Sequence, residues 1–312
     1  MSSRHPLTAP PARALPASFD MPLLVLGVTA VSFSAILIRE AHAPSLTIAL
    51  YRNAFAAALL LPIALVRHRA ELRALTRRQV SLAVVSGAIL ALHFGTWIPS
   101  LSYTTVAASV VLVTTQPVWT ALGGRVLYGE RLRPRTFAGI AVAIAGAAVI
   151  TGGDLAVSGR AAWGDFLALF GAVAAAAYFM IGRNLRQQLS LVPYVTIVYS
   201  CCALLLAPVV VLSGTKAAGF PARTWLLFLA MALVPHILGH TVFNYLLRWL
   251  DPTVVAIAIM GEPVGATLLA LAFYSEVPPW TAIAGGLLTL AGIYVAIAAQ
   301  GRRRTVPEAP IE

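Results

Sequence analysis

Two formally charged side chains stand well inside apolar stretches of this 312-residue chain, Arg52 and Glu262. Glu262 is the only charge between Pro252 and Tyr274. At a rise of about 1.5 Å per residue it falls roughly 15 Å into that helix, near the middle of a bilayer. A carboxylate there is costly unless it is paired, protonated or facing water, so its available chemistry is proton carriage or cation ligation, against the role of a helix-breaking structural acid. Arg52 lies about 10 Å along its own helix from Ser45. It suits an anionic or carboxylate-bearing substrate, or a structural partner such as a carbonyl, Glu40 or Glu262. Three histidines, His93, His236 and His240, are also placed within apolar runs. His236 and His240 are i,i+4 and share a helical face, which Asn244 extends by one turn. Such a pair suits a metal, but no third ligand has matching spacing and no His-Glu-x-x-His pattern is present, so a polar lining or interhelical hydrogen bonding fits better. Neutral histidine also passes protons, which makes His236 with Glu262 a candidate relay. His93 and Trp97 are one turn apart, and Gln116, Tyr51, Tyr178 and Tyr199 are further lining candidates.

The elements that must carry these residues follow from composition. The chain is 59% hydrophobic and 11% charged, with a mean hydropathy of +0.85. A soluble domain of this size could not be solvated with so apolar a surface. The formal charge of +11 is clustered between apolar runs, where it reads as a topology signal and not as a nucleic-acid footprint. Ten membrane helices are expected, at 21–38, 45–66, 80–99, 104–124, 136–152, 163–181, 192–212, 225–247, 252–274 and 280–299, with tails at 1–20 and 300–312. The first run is expected to be a retained helix, because a long tail precedes it and Pro44 follows the cleavage-like Ala41-His42-Ala43. The connections are short, which leaves no room for a soluble domain. Cys201 and Cys202 are adjacent within an apolar run and suit packing.

A constant offset of 146 divides the chain. It relates Gln116-Pro117-Val118 to Glu262-Pro263-Val264, Tyr128 to Tyr274, Glu130 to Glu276, Gly139 to Gly285, Gly146 to Gly292, Phe33 to Phe179 and Pro62 to Pro208. The offset marks a duplication, with a first repeat at 21–152 and a second at 163–299. Five helices per half send the second half through the membrane the other way round, giving an inverted repeat. With both ends in the cytoplasm, seventeen of the 22 lysines and arginines lie inside and four outside, with Arg52 within a helix; this fixes the orientation. Pro117 and Pro263 remove backbone donors and are expected to kink the fourth and ninth helices. Glu130 and Glu276, just past those helices, suit capping. Glycines such as Gly139, Gly146, Gly285 and Gly292 suit close helix packing.

These residues resemble the EamA-type transporters of the drug/metabolite transporter superfamily. The resemblance rests on two five-helix halves, a Pro-Val in the fourth helix of each, and Tyr-x-Glu at that helix's end, at Tyr128–Glu130 and Tyr274–Glu276. Arg52 near the start of the second helix also fits the family pattern. The similarity covers residues 21–299 and implies a bacterial inner-membrane exporter of an amino acid, metabolite or drug, with a central cavity between the halves. The first half carries Gln116 where the second has Glu262, so a two-carboxylate proton mechanism lacks one acid. The expected partners are a small-molecule substrate, the lipid bilayer and, as a candidate coupling ion, protons. The rival to coupling is facilitated diffusion, and the rival of another class is a non-transporting membrane scaffold. No phosphate-binding loop, nucleophile elbow or metal motif points to an enzyme or a cofactor. The oligomeric state has no signature in these residues.

Overall fold

The computed structural model describes residues 17–103, 109, 112–128, 133–150, 159–274 and 280–300, and every regular element among them is helical. In chain order these are α1 (Ala17–Ala41), α2 (Ser45–Arg67), α3 (Arg69–Ala74), α4 (Arg77–Ser100), α5 (Gln116–Tyr128), α6 (Pro134–Ile150), α7 (Gly159–Arg186) and α8 (Leu191–Leu212). There follow α9 (Ala222–Met231), a π-helical stretch (Ala232–Thr241) and α10 (Val242–Leu246), then α11 (Pro252–Ile259), α12 (Glu262–Tyr274) and α13 (Trp280–Gln300). Seven helical stretches among the described residues are long and apolar enough to cross a membrane, and α6 and α13 carry shorter apolar segments. Each of the ten expected segments overlaps a helix, although most of 104–111 lies outside the described residues, as do Glu130 and Glu276.

Local signals explain the helix starts. Thr76 caps α4 by accepting the Gln79 N–H at 3.2 Å while the Gln79 side chain accepts the Thr76 N–H at 2.9 Å, a reciprocal box that satisfies two free donors. Asp251 caps α11 by accepting the Thr253 N–H at 2.8 Å, with Pro252 at the first helical position, where no N–H is needed.

The helix α6 packs on α13 through glycines in a mirrored register. A Cβ placed on Gly139 would fall 2.8 Å from the Gly292 carbonyl oxygen, and one on Gly146 would fall 2.7 Å from that of Gly285. As the first position rises by seven the second falls by seven, so the two helices run antiparallel. Both pairs are repeat mates taken crosswise. At the crossing, the Thr289 hydroxyl reaches the Ala143 carbonyl at 3.4 Å, and these two residues are themselves 146 apart. A local two-fold relation between equivalent helices therefore passes through this interface. Small residues there let backbones approach where lipid supplies no hydrophobic drive.

Connections group onto two faces. On the face rich in arginine, the Ser190 N–H donates to Glu71 at 2.7 Å, Gln79 donates to Gln188 at 3.3 Å, and Arg183 meets Asp251 at 3.4 Å. On the other, Thr47 donates to the Lys216 carbonyl and Tyr51 to that of Ala217, both at 2.7 Å, while Glu40 pairs with Arg223. Arg186, one of the basic residues of this face, is buried, donating from Nε to the Asn244 carbonyl at 3.1 Å and also to that of Leu189. An arginine at a helix C-terminus binds carbonyls that have no donor of their own.

Candidate functional site

Two membrane helices are broken at matched positions. α11 ends at Ile259, Met260–Gly261 make a turn, and α12 begins at Glu262. At 146 residues earlier, Thr114–Thr115 make the same turn and α5 begins at Gln116. Pro263 and Pro117 are the cause. Each lacks the N–H that would reach the carbonyl of Ile259 or Val113, and its ring crowds that carbonyl. The turns are held locally: the Thr115 hydroxyl donates to the Leu112 carbonyl at 2.6 Å and accepts from the Trp119 indole at 3.1 Å, and the Gly261 N–H donates to the Ala258 carbonyl at 3.0 Å. Gln116 and Glu262 thus stand at the N-terminal ends of half-helices, where unpaired N–H groups gather.

Both residues face a cavity framed by α1, α4, α5, α7, the π-helical stretch, α10, α11 and α12. It encloses about 560 Å³ of atom-free space, part of it continuous with the outside. Three wall pairs are repeat mates: Gln116 with Glu262, Val113 with Ile259, and Trp97 with Phe243. The cavity straddles the same two-fold relation as α6 and α13.

His93 lines the wall, and its Nδ1 lies 2.9 Å from the Gly171 carbonyl oxygen. A carbonyl only accepts, so Nδ1 carries the proton and Nε2 is left as an acceptor. Gly171 permits the approach, since a Cβ there would fall 3.1 Å from that of Trp97. The imidazole stacks on the Trp97 ring at 5.8 Å between centroids and 9° between planes. Trp97 Nε1 and Gln116 Nε2 are buried and have no hydrogen-bond partner among the described residues, and both residues line the cavity.

Of the stripe His236, His240 and Asn244, the cavity wall includes His240. His236 is fully buried behind it, between the rings of Tyr199 at 4.2 Å and Phe94 at 5.6 Å, and neither of its nitrogens has a hydrogen-bond partner among the described residues. Asn244 donates to the Tyr178 hydroxyl at 2.5 Å and to the His240 carbonyl at 2.7 Å, so it positions Tyr178, which does line the cavity. The stripe assumed α-helical spacing, whereas both histidines sit in π-helical turns bonded i to i+5. Pro235, inside that stretch, withholds one donor from the ladder.

Arg52 is fully buried and stands behind the wall. Its Nη1 donates to the Ser34 hydroxyl at 3.3 Å, Ser34 lines the cavity, and the guanidinium covers the Phe94 ring at 4.3 Å. Arg52 and Glu262 interact electrostatically, without a direct ion pair among the described residues. Glu40, considered as its partner, meets Arg223. Phe243 and Ser34 escaped the sequence reading. Adding 146 to Trp97 reaches Phe243, whereas Ser34 is an ordinary small residue with no such signal. Tyr51 lies apart, stacked on Phe228 at 5.1 Å.

The profile of the EamA-like transporter family matches the chain twice, at residues 19–152 and 162–298. An uncharacterized transporter of Archaeoglobus fulgidus is 27% identical over 204 residues, covering 64% of this chain and 70% of that protein. A probable terminal-alkyne amino-acid exporter of Streptantibioticus cattleyicolor is 30% identical over 189 residues, 59% of this chain and 61% of that one, so the match spans about six-tenths of that relative. A solved crystal structure shares the fold with a TM-score of 0.76 at 20% identity, over 91% of this chain and 99% of that one. With both halves matched on an all-helical, membrane-crossing fold, the chain belongs to the EamA-like transporter family and is a multi-pass membrane transporter.

Proposed function

We infer that the chain forms ten membrane helices in two inverted five-helix repeats and exports a small organic solute by alternating access. The solute class is an amino acid, metabolite or drug, and the membrane is a bacterial inner membrane with both termini in the cytoplasm. The observation that carries this reading is the cavity itself: it lies between repeat-related helices broken at the same register, with Gln116 and Glu262 at the two breaks. Carriers built from inverted repeats bind solute near the midplane, where half-helix ends supply unpaired backbone groups, and move it by rocking one repeat against the other. The named amino-acid exporter among the relatives supports the solute class and the outward direction. Proton coupling is assigned to Glu262, the carboxylate on the cavity wall.

The test is flux in proteoliposomes with and without a pH gradient, using amino acids, nucleosides and cationic drugs. The expected result is accumulation that requires the gradient and is lost in Glu262→Gln. Flux that merely equilibrates in both conditions replaces coupling by facilitated diffusion. No flux of any solute removes the carrier reading.

A further inference from the structure

The two breaks give the cavity different polar groups. At one stands Glu262, and Tyr178, Phe243 and His93 also line the cavity. A carboxylate among aromatic faces is a seat for an ammonium group. At the repeat-related break the acid is replaced by Gln116, whose Nε2 is buried without a partner, and the Trp97 indole N–H is buried and unpartnered as well. Both side chains are more than nine-tenths buried and both line the cavity. Gln116 opens the thirteen-residue α5, where Pro117 has no N–H and the Val118 N–H donates to the Thr115 carbonyl at 2.9 Å, so the side-chain amide is the donor offered to a ligand. Two N–H donors, the Gln116 amide and the Trp97 indole, suit a carboxylate, which only accepts. Val31, Leu90, Val113, Phe179 and Ile259 supply apolar lining, beside the polar Ser34, Thr114 and His240.

Building on the carrier reading above, we propose that Gln116 and Trp97 are the residues that hold the substrate's carboxylate while Glu262 takes its ammonium group, so the cavity selects a small zwitterion with an apolar body. A lone charge in this site leaves one pole unmatched and its groups desolvated. A zwitterion satisfies both poles at once. The duplicated break supplies two equivalent positions, and with an amide at one and an acid at the other the pair makes a head-to-tail receptor.

The experiment is isothermal titration of the full-length protein in detergent with three probes: L-phenylalanine, phenethylamine, which lacks the carboxylate, and 3-phenylpropionate, which lacks the ammonium. Wild type is expected to bind phenylalanine at least about 10-fold more tightly than either truncated probe, because removing a recognised polar group strands buried partners. Gln116→Met is expected to weaken phenylalanine about 10-fold and leave phenethylamine within about twofold, and Trp97→Phe to act in the same direction. Glu262→Gln is expected to weaken both amines and spare 3-phenylpropionate. Two variants on the anion side, each checked for monodisperse elution and melting temperature, keep the test open if one fails to fold. Equal binding of phenylalanine and phenethylamine to wild type overturns the proposal, as does an equal loss of both in Gln116→Met. If none of the three probes binds, the zwitterion seat is wrong, while flux of other solutes in liposomes still upholds the carrier reading. A protein that neither binds these probes nor moves any solute ends both.

Discussion

Arg52 is buried with one hydroxyl partner and an aromatic face, so much of its contribution is packing around a charge that has no contacting acid. Truncation to alanine removes the volume and the contact with Phe94 together. Arg52→Ala is expected to destabilise the protein by about 2–4 kcal/mol. Arg52→Lys retains charge but not the planar face, and is expected to recover less than half of that loss. Melting temperature in detergent reads both. A variant as stable as wild type would show that Phe94 and Ser34 do not depend on the guanidinium. At the same scale the asymmetry of Gln116 and Glu262 separates two roles that a symmetric acid pair would merge.

Helices α5 and α12 owe their starts to a proline one residue inside each. Pro263→Ala restores a donor for the Ile259 carbonyl and favours joining α11 to α12. The expected result is an unchanged or raised melting temperature with flux reduced about 10-fold, since the break supplies the site and not the stability. Undiminished flux would separate the break from transport. Close packing of α6 on α13 gives a second test. At Gly139 an added Cβ would fall 2.6 Å from a backbone nitrogen of Ala296, which cannot move aside, whereas at Gly95 it would meet the flexible tip of Leu206 at 3.5 Å. Gly139→Ala is expected to cost about 2–3 kcal/mol and Gly95→Ala to be neutral or stabilising by up to about 1 kcal/mol. Equal effects would contradict the packed crossing.

For the whole molecule, the arginine-rich face is tied across the two halves at Glu71. Partial burial alone pushes the Glu71 carboxyl up, but the Ser190 N–H and hydroxyl and the neighbouring His68 outweigh it and hold the group below its ordinary 4.5. A carboxyl lowered on folding adds stability that is complete above its unfolded value and is lost as pH falls through the folded one. The melting-temperature difference between wild type and Glu71→Gln should therefore be constant from about pH 8 to pH 6 and shrink below about pH 4.5. A difference that persists at about pH 3 would exclude the clamp. Orientation is tested on the same scale in a Cys201→Ala, Cys202→Ala background. An impermeant maleimide is expected to label Lys216→Cys in intact cells and Arg73→Cys only after permeabilisation, and the reverse pattern would invert the charge argument.

Hydropathy placed the helical segments because apolar length is a property of the chain alone, and the 146-residue offset exposed the duplication without any coordinates. The prolines marked where two helices would break for the same local reason: a missing N–H is written in the residue. Tertiary structure decided what those breaks face. Trp97, Gln116, Phe243 and Glu262 come to line one cavity only when α4, α5, α10 and α12 are brought together by packing, which no local signal encodes. The π-helical turns around His236 and His240 set which of the two reaches the cavity, and they arise where Pro235 and close packing override α-helical spacing. The depth of Arg52 along its helix left both a substrate contact and a structural role open. Its neighbours Ser34 and Phe94, from two other helices, place it behind the wall. Depth along a helix is fixed by residue number, while the direction a side chain faces depends on which helices surround it.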